Sequence, residues 1–158
     1  MTTIIAVESP LQDEVRALVA QLNAMALSLT PAEFCHHMTV EQMTDTATTL
    51  FVARVDGKAV AMGALRRDAD GIAEVKRMFT DPAFRGRGLG GAILARIEEL
   101  ARAEGFTRLV LETGSNFDWA RRLYERAGFT SCEAFLDYPA SDWNAFYDKA
   151  LMQSAVHA

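Results

Sequence analysis

Arg85-Gly86-Arg87-Gly88-Leu89-Gly90-Gly91 lies between a strand-like run, residues 72–80, and an amphipathic helical run that begins at Leu89. Glycine lets a backbone turn tightly and leaves its N–H groups unshielded by side chains. Unpaired N–H donors at the positive end of a helix form a cradle for an anion. Arg85 and Arg87 add positive charge at the same place. The composition of the turn therefore predicts a phosphate or pyrophosphate at the start of this helix. A P-loop would require Gly-Lys-Ser/Thr, and no such Lys pair follows the glycines. Gly86, Gly88 and Gly91 have the spacing of a dinucleotide fingerprint. That fingerprint, however, opens the first strand–helix unit and is followed by an acidic residue about 20 positions on. Here the turn is central and begins with arginine.

The rest of the chain bounds what that anion can belong to. The 158 residues suit a single domain, residues 1–158, with a sizeable core. Half of them are hydrophobic, and the net charge is −5. An acidic surface argues against general attraction to nucleic acid or anionic membrane, so the local positive site points to one anionic ligand. No apolar run reaches the ~20 residues of a membrane span. The first residues lack the basic start and apolar core of a secretion signal, which makes the cytoplasm the expected location. Cys35 and Cys132 offer neither zinc spacing nor a disulfide framework, and no metal is expected.

The elements that must position the turn follow from periodicity. Residues 3–7 read as a strand. Ser9-Pro10-Leu11-Gln12 reads as a helix start, with Leu11, Val15, Leu18, Val19, Leu22 and Met25 recurring on one face. Thr30-Pro31-Ala32-Glu33 repeats the start signal and predicts a shorter second helix carrying His36 and His37. Residues 49–55 and 58–65 form strands around an Asp56-Gly57 hairpin turn, and 72–80 is the next strand. Leu89, Ile93, Ile97 and Leu100 mark a helix that Gly105 ends. A buried strand over 108–113, a helix over 118–127 and strands over 129–135 and 145–151 complete the order. Helix crossovers among antiparallel strands predict an α/β domain with a mixed sheet.

In this setting the chain resembles the GNAT superfamily of N-acetyltransferases. The family signature, Arg/Gln-x-x-Gly-x-Gly/Ala after a strand, is matched by Arg85, Gly88 and Gly90. Met78-Phe79-Thr80-Asp81-Pro82 precedes it, and Leu123-Tyr124-Glu125-Arg126-Ala127-Gly128-Phe129 follows at the family's usual distance. The resemblance covers residues 48–151, and the first 45 residues fit only in outline. It implies a mostly antiparallel sheet of six to seven strands flanked by helices and splayed at a central parallel pair. It also implies acetyl-CoA as cosubstrate, direct attack by an amine, and no covalent enzyme intermediate.

By the same resemblance, Gly86, Arg87, Gly88, Leu89, Gly90 and Gly91 hold the pyrophosphate, with Arg85 beside them. Main-chain groups of Met78, Phe79 and Thr80 pair with the pantetheine arm as an added strand. The Phe79 N–H is the expected donor to the carbonyl oxygen. Tyr124 is the expected general acid, and Glu112 or Glu74 the base. The family often carries Asn three residues before the Ala of its last helix. Here Phe117 holds that place and Asn116 stands one residue early, as a weaker coenzyme contact. Arg121 and Arg122 could meet the 3′-phosphate, but arginines on a surface are ordinarily just solvated, and they are not counted among the site residues. The acceptor pocket is expected from the N-terminal helices and the loop over 136–144, where His36, His37, Tyr138 and Trp143 are candidates to line it, with plain surface or core packing the alternative for each. The acceptor is then a small molecule, amino acid or peptide amine, and a homodimer is common for such domains. A protein lysine acyltransferase and a non-catalytic acyl-CoA sensor are the alternatives.

Overall fold

In the computed structural model, residues 1–35, 37–136 and 138–151 are described. The strand β1 (Thr3–Val7) leads to helix α1 (Asp13–Leu29), then β2 (Thr48–Val55), β3 (Lys58–Arg67) and β4 (Ile72–Thr80). Helix α2 (Leu89–Ala103), β5 (Arg108–Gly114), α3 (Asp118–Arg126), β6 (Thr130–Ser131) and β7 (Asn144–Ala150) follow. One seven-stranded sheet has the order β1-β2-β3-β4-β5-β7-β6. Asp56 and Gly57 both take positive φ, 49° and 84°, as a two-residue hairpin turn requires.

Every strand pair is antiparallel except β4 with β5. That parallel pair has only three registered positions: Ile72 with Arg108, Ala73 with Leu109, and Glu74 with Val110. The Gly71 carbonyl accepts from the N–H groups of Thr107 and Arg108, which ties the strands at their start. Beyond Glu74 and Val110 the strands are no longer paired, and the sheet opens there. β5 instead pairs with β7 over seven positions.

The two faces of the sheet carry different helices. Val15, Leu18, Val19 and Leu22 of α1 pack with Leu50, Val52, Met62 and Phe79 on one side. Leu89, Ile93, Leu94 and Ile97 of α2 pack on the other with Val75, Leu109, Leu111 and Tyr124. The β3–β4 register slips between Met62 and Ala64, and Arg77 on β4 takes φ +56°. Such a left-handed residue costs about 1–2 kcal/mol, so the surrounding packing has to impose it. Gly63 stands opposite this bulge because a Cβ there would collide with the Met78 sulfur and with Ile93.

Three expected elements differ. The first helix starts at Asp13, and Ser9 Oγ accepts the Leu11 N–H within a preceding turn, leaving Leu11 exposed. The second helix is one 3-10 turn, Ala32–Phe34, because the chain is already extended at Cys35. His37 lies outside it, and His36 falls outside the described residues. The strand expected over 129–135 keeps only Thr130–Ser131. The chain then leaves the sheet, and Phe135 packs edge-on against Phe146, 5.1 Å between centroids, in a cluster with Val110.

Candidate active site

The glycine turn is built as an anion cradle. Gly86 and Gly88 take φ of 79° and 77°, and Gly88 caps α2. From Gly86 to Gly91 no N–H makes a backbone hydrogen bond among the described residues; Ala92 makes the first, to the Gly88 carbonyl. A row of unpaired donors thus faces solvent at the positive end of a 15-residue helix. A Cβ at Gly86, Gly88 or Gly91 would meet nothing within 4 Å, so the open space lies on the cradle's outer side. Gly90 is different. Its Cβ would lie 3.2 Å from Leu123 of α3 and 3.8 Å from Thr80 Oγ1, and it seals α2 against both elements. Leu89 is buried and anchors the turn in the core. Arg85 stacks over Trp119 at 4.9 Å and Arg87 over Phe84 at 4.9 Å, which holds their charge beside the cradle.

Where β4 and β5 part, a cavity of about 100 Å³ opens. Val75, Lys76, Arg77 and Met78 form its β4 wall, and Glu112, Thr113 and Gly114 its β5 wall. Tyr124 of α3 lines it together with His37 and Trp143. Phe79 and Thr80 continue β4 beyond it, with buried side chains.

Tyr124 is nearly fully buried between Phe129 and Tyr147. Burial, aided by the charge of Glu112, pushes its hydroxyl pKa well above the usual phenol range. It therefore stays a neutral O–H donor at any physiological pH. Glu112 Oε2 accepts 3.2 Å from Asn144 Nδ2, which fixes the carboxylate at the cavity wall. Asn144 is in turn positioned by the Ser141 N–H and hydroxyl, both donating to its Oδ1 at 2.9 Å.

Glu74 has a different environment. It is 2% exposed and lines a separate surface depression with Asp68, Lys76 and Tyr138. The Tyr138 hydroxyl donates to its Oε2 at 2.6 Å, and the Lys76 ammonium lies 3.4 Å away. Burial outweighs both partners and pushes its pKa up to about 7. The structure therefore brings Glu112 and Tyr124 together and sets Glu74 apart.

The other expected contacts divide as well. Asn116 donates to the Leu29 carbonyl at 3.2 Å and so ties the turn before α3 to the end of α1. Arg121 belongs to the fold: it donates to Tyr147 Oη at 2.9 Å and to the Ser115 carbonyl at 3.0 Å. Tyr138 serves the Glu74 cluster instead of the central cavity. Cys35 and Arg77 are among the cavity residues that escaped the sequence reading. Cys35 lines it, with burial and the Glu112 charge holding its thiol protonated. Arg77 does so too, and the available signal was the adjacent charged pair Lys76-Arg77 within a strand, a break in alternation that a bulge resolves.

A family model for acetyltransferases, the GNAT family, matches residues 19–129. The chain belongs to the GNAT family. Among curated relatives of this GNAT acetyltransferase, an IAA acetyltransferase from Azospirillum brasilense is 38% identical, covering 93% of this chain and 97% of the relative. An N-acetyltransferase of Bacillus subtilis, YsnE, is 34% identical over 82% and 87%. A crystal structure from Klebsiella pneumoniae, described as a candidate acyl-CoA N-acyltransferase, superposes with a TM-score of 0.81 at 30% identity, over 96% and 99% of the chains. The PaiA N-acetyltransferase of Thermoplasma acidophilum, solved with coenzyme A, shares the fold at 14% identity and a TM-score of 0.70, over 95% and 99%. This GNAT acetyltransferase is an enzyme that uses acetyl-CoA to acetylate an amine.

Proposed function

We propose that the acetyl group passes directly to an amine held in the opening between β4 and β5, with Glu112 as base and Tyr124 as acid. The observation that carries this is the placement of both side chains on one cavity, next to the end of the glycine cradle's strand. Acetyl-CoA supplies an activated thioester whose sulfur is the leaving group. The row of free N–H groups from Gly86 to Gly91 suits its pyrophosphate, and the stretch of β4 at Met78, Phe79 and Thr80, paired with β3 on one side and past the end of the β5 pairing on the other, suits its amide-bearing arm. Arg85 and Arg87 supply charge close by.

Glu112 takes the proton that the attacking amine must lose, and Asn144 keeps its carboxylate aimed at the cavity. The Asp81 N–H donates to the Val60 carbonyl, so by the alternation of the antiparallel β3–β4 pair the Phe79 N–H, the expected donor to the carbonyl oxygen, points to Met62 of β3 instead. Tyr124 gives its proton to the departing sulfur, a role its raised pKa suits because the phenol arrives protonated. Lys76 and Glu74 serve the rim through Tyr138. Asn116 supports the loop and leaves coenzyme contact to the cradle. Two free thiols, both held protonated, fit a reducing compartment supplied with acetyl-CoA, and we place the enzyme in the cytoplasm.

The test is calorimetric titration with acetyl-CoA, alongside thiol-release assays on a panel of small amines. Micromolar binding that Gly88→Trp abolishes without unfolding the protein is expected. Undiminished binding by a folded Gly88→Trp protein would refute the cradle assignment.

A further inference from the structure

Arg77 is an unusual residue for the middle of a sheet. Its φ of +56° turns it out of the strand's alternation at the bulge, and it lines the β4 wall of the central cavity. Its guanidinium contacts Asn23 Oδ1 of α1, and His37 Nδ1 at 3.2 Å. Its Nε is buried and has no hydrogen-bond partner among the described residues. No carboxylate pairs with it among those residues. Burial alone brings its pKa down to about 10, with no acidic neighbour working against the shift. A half-buried guanidinium whose Nε is shut off from water and that has no anion beside it is costly, and left-handed backbone adds to that cost.

The position of this cation identifies what it awaits. Arg77 lies three residues past Glu74, and Glu112 two residues past Val110, the last parallel pair. They stand on opposite walls of one cavity, a cation on β4 and an anion on β5. None of the cradle residues, Arg85 to Gly91, lines the cavity that Arg77 lines. Coenzyme phosphates bound at the cradle are therefore not its ligand. A guanidinium fork fits a carboxylate in bidentate geometry, while Glu112 faces an ammonium.

We propose that the acceptor is a free amino acid, its carboxylate held by Arg77 and its amine presented to Glu112. This rests on the acetyltransfer reading above. His37 and Asn23 keep the guanidinium in place. The arrangement also selects against plain amines, which would leave the half-buried Arg77 charge unanswered.

The test compares the twenty free L-amino acids with their carboxamides and decarboxylated amines, by thiol release at saturating acetyl-CoA. At least one amino acid is expected to exceed its carboxamide by about 100-fold in kcat/KM. Arg77→Asn, chosen because Asn tolerates a left-handed backbone, should raise KM for that amino acid about 100-fold and bring the acid-to-amide ratio near one. Its acetyl-CoA affinity should stay unchanged. Arg77→Lys, which keeps the charge and loses the fork, should fall between the two and serves if Arg77→Asn does not fold. Carboxamides or decarboxylated amines accepted as well as the free acids would overturn the proposal while leaving the acetyltransferase reading intact. So would an acid-to-amide ratio unmoved by either variant, or no turnover of any free amino acid by protein that binds acetyl-CoA. Failure to bind acetyl-CoA at all would instead strike the reading it rests on.

Discussion

Glu74 and Glu112 stand on neighbouring strands, beside the same short parallel seam, and differ in what surrounds them. Glu74 sits at the last paired position, where the sheet is closed, and burial pushes its pKa up to about 7. Glu112 sits two residues beyond the last pair on β5, where the strands have parted, with an Asn144 hydrogen bond and an open cavity before it. A step of two residues along a splayed sheet thus separates a carboxyl held in a closed cluster from one offered to a ligand. Residue type and approximate position are the same. Access to the cavity makes the difference.

Tyr124→Phe should have the largest effect on this contrast, since it removes the acid whose proton the Glu112 side of the site employs. A loss in kcat of roughly 1000-fold with retained coenzyme affinity is expected in steady-state kinetics. Unchanged turnover would remove Tyr124 from the chemistry. Glu112→Gln should lower kcat by roughly 100-fold, and Glu74→Gln by less than about 3-fold. Equal losses in the two variants would erase the distinction drawn between the strands.

The smaller consequence is one of stability. The folded state raises the Glu74 pKa from 4.5 to about 7, so it favours the protonated carboxyl. The stability this proton confers is complete below about pH 4.5 and is lost as pH rises through about 7. Glu74→Gln, which cannot ionise, should therefore gain on the wild type by up to about 3 kcal/mol between acid and about pH 8. Thermal melts at both pH values measure it, at roughly 2–4 °C per kcal/mol. A constant difference between the two proteins across that range would show that folding does not shift the Glu74 pKa.

Much of this was legible before any fold was known. The glycine turn is a local device, so its residues announce it, and Gly86 and Gly88 adopt the positive φ that only glycine takes cheaply. The strands around Asp56-Gly57 and the face of α2 were equally local. The choice between Glu74 and Glu112 was not. It depends on where two strands 30 or more positions apart stop pairing, and on a tyrosine, Tyr138, arriving from the far end of the chain to cover Glu74. Arg77 was hidden for a similar reason: a bulge is a relation between strands, and only the Lys76-Arg77 pair hinted at it. Asn116 misled because its side chain answers to the end of α1, a contact spanning 87 residues.

The three-pair seam leaves the sheet as two half-sheets, β1–β4 and β5–β7, with α2 bridging them in sequence. Such halves can open separately, and amide exchange along the free edges of β4 and β5 should be faster than at β2 and β3. A coenzyme arm lying in the gap would act as mortar between them, fusing two loosely coupled units into one cooperative body. For this protein the cosubstrate is then a structural member as well as a reactant, and each turnover begins by completing the sheet.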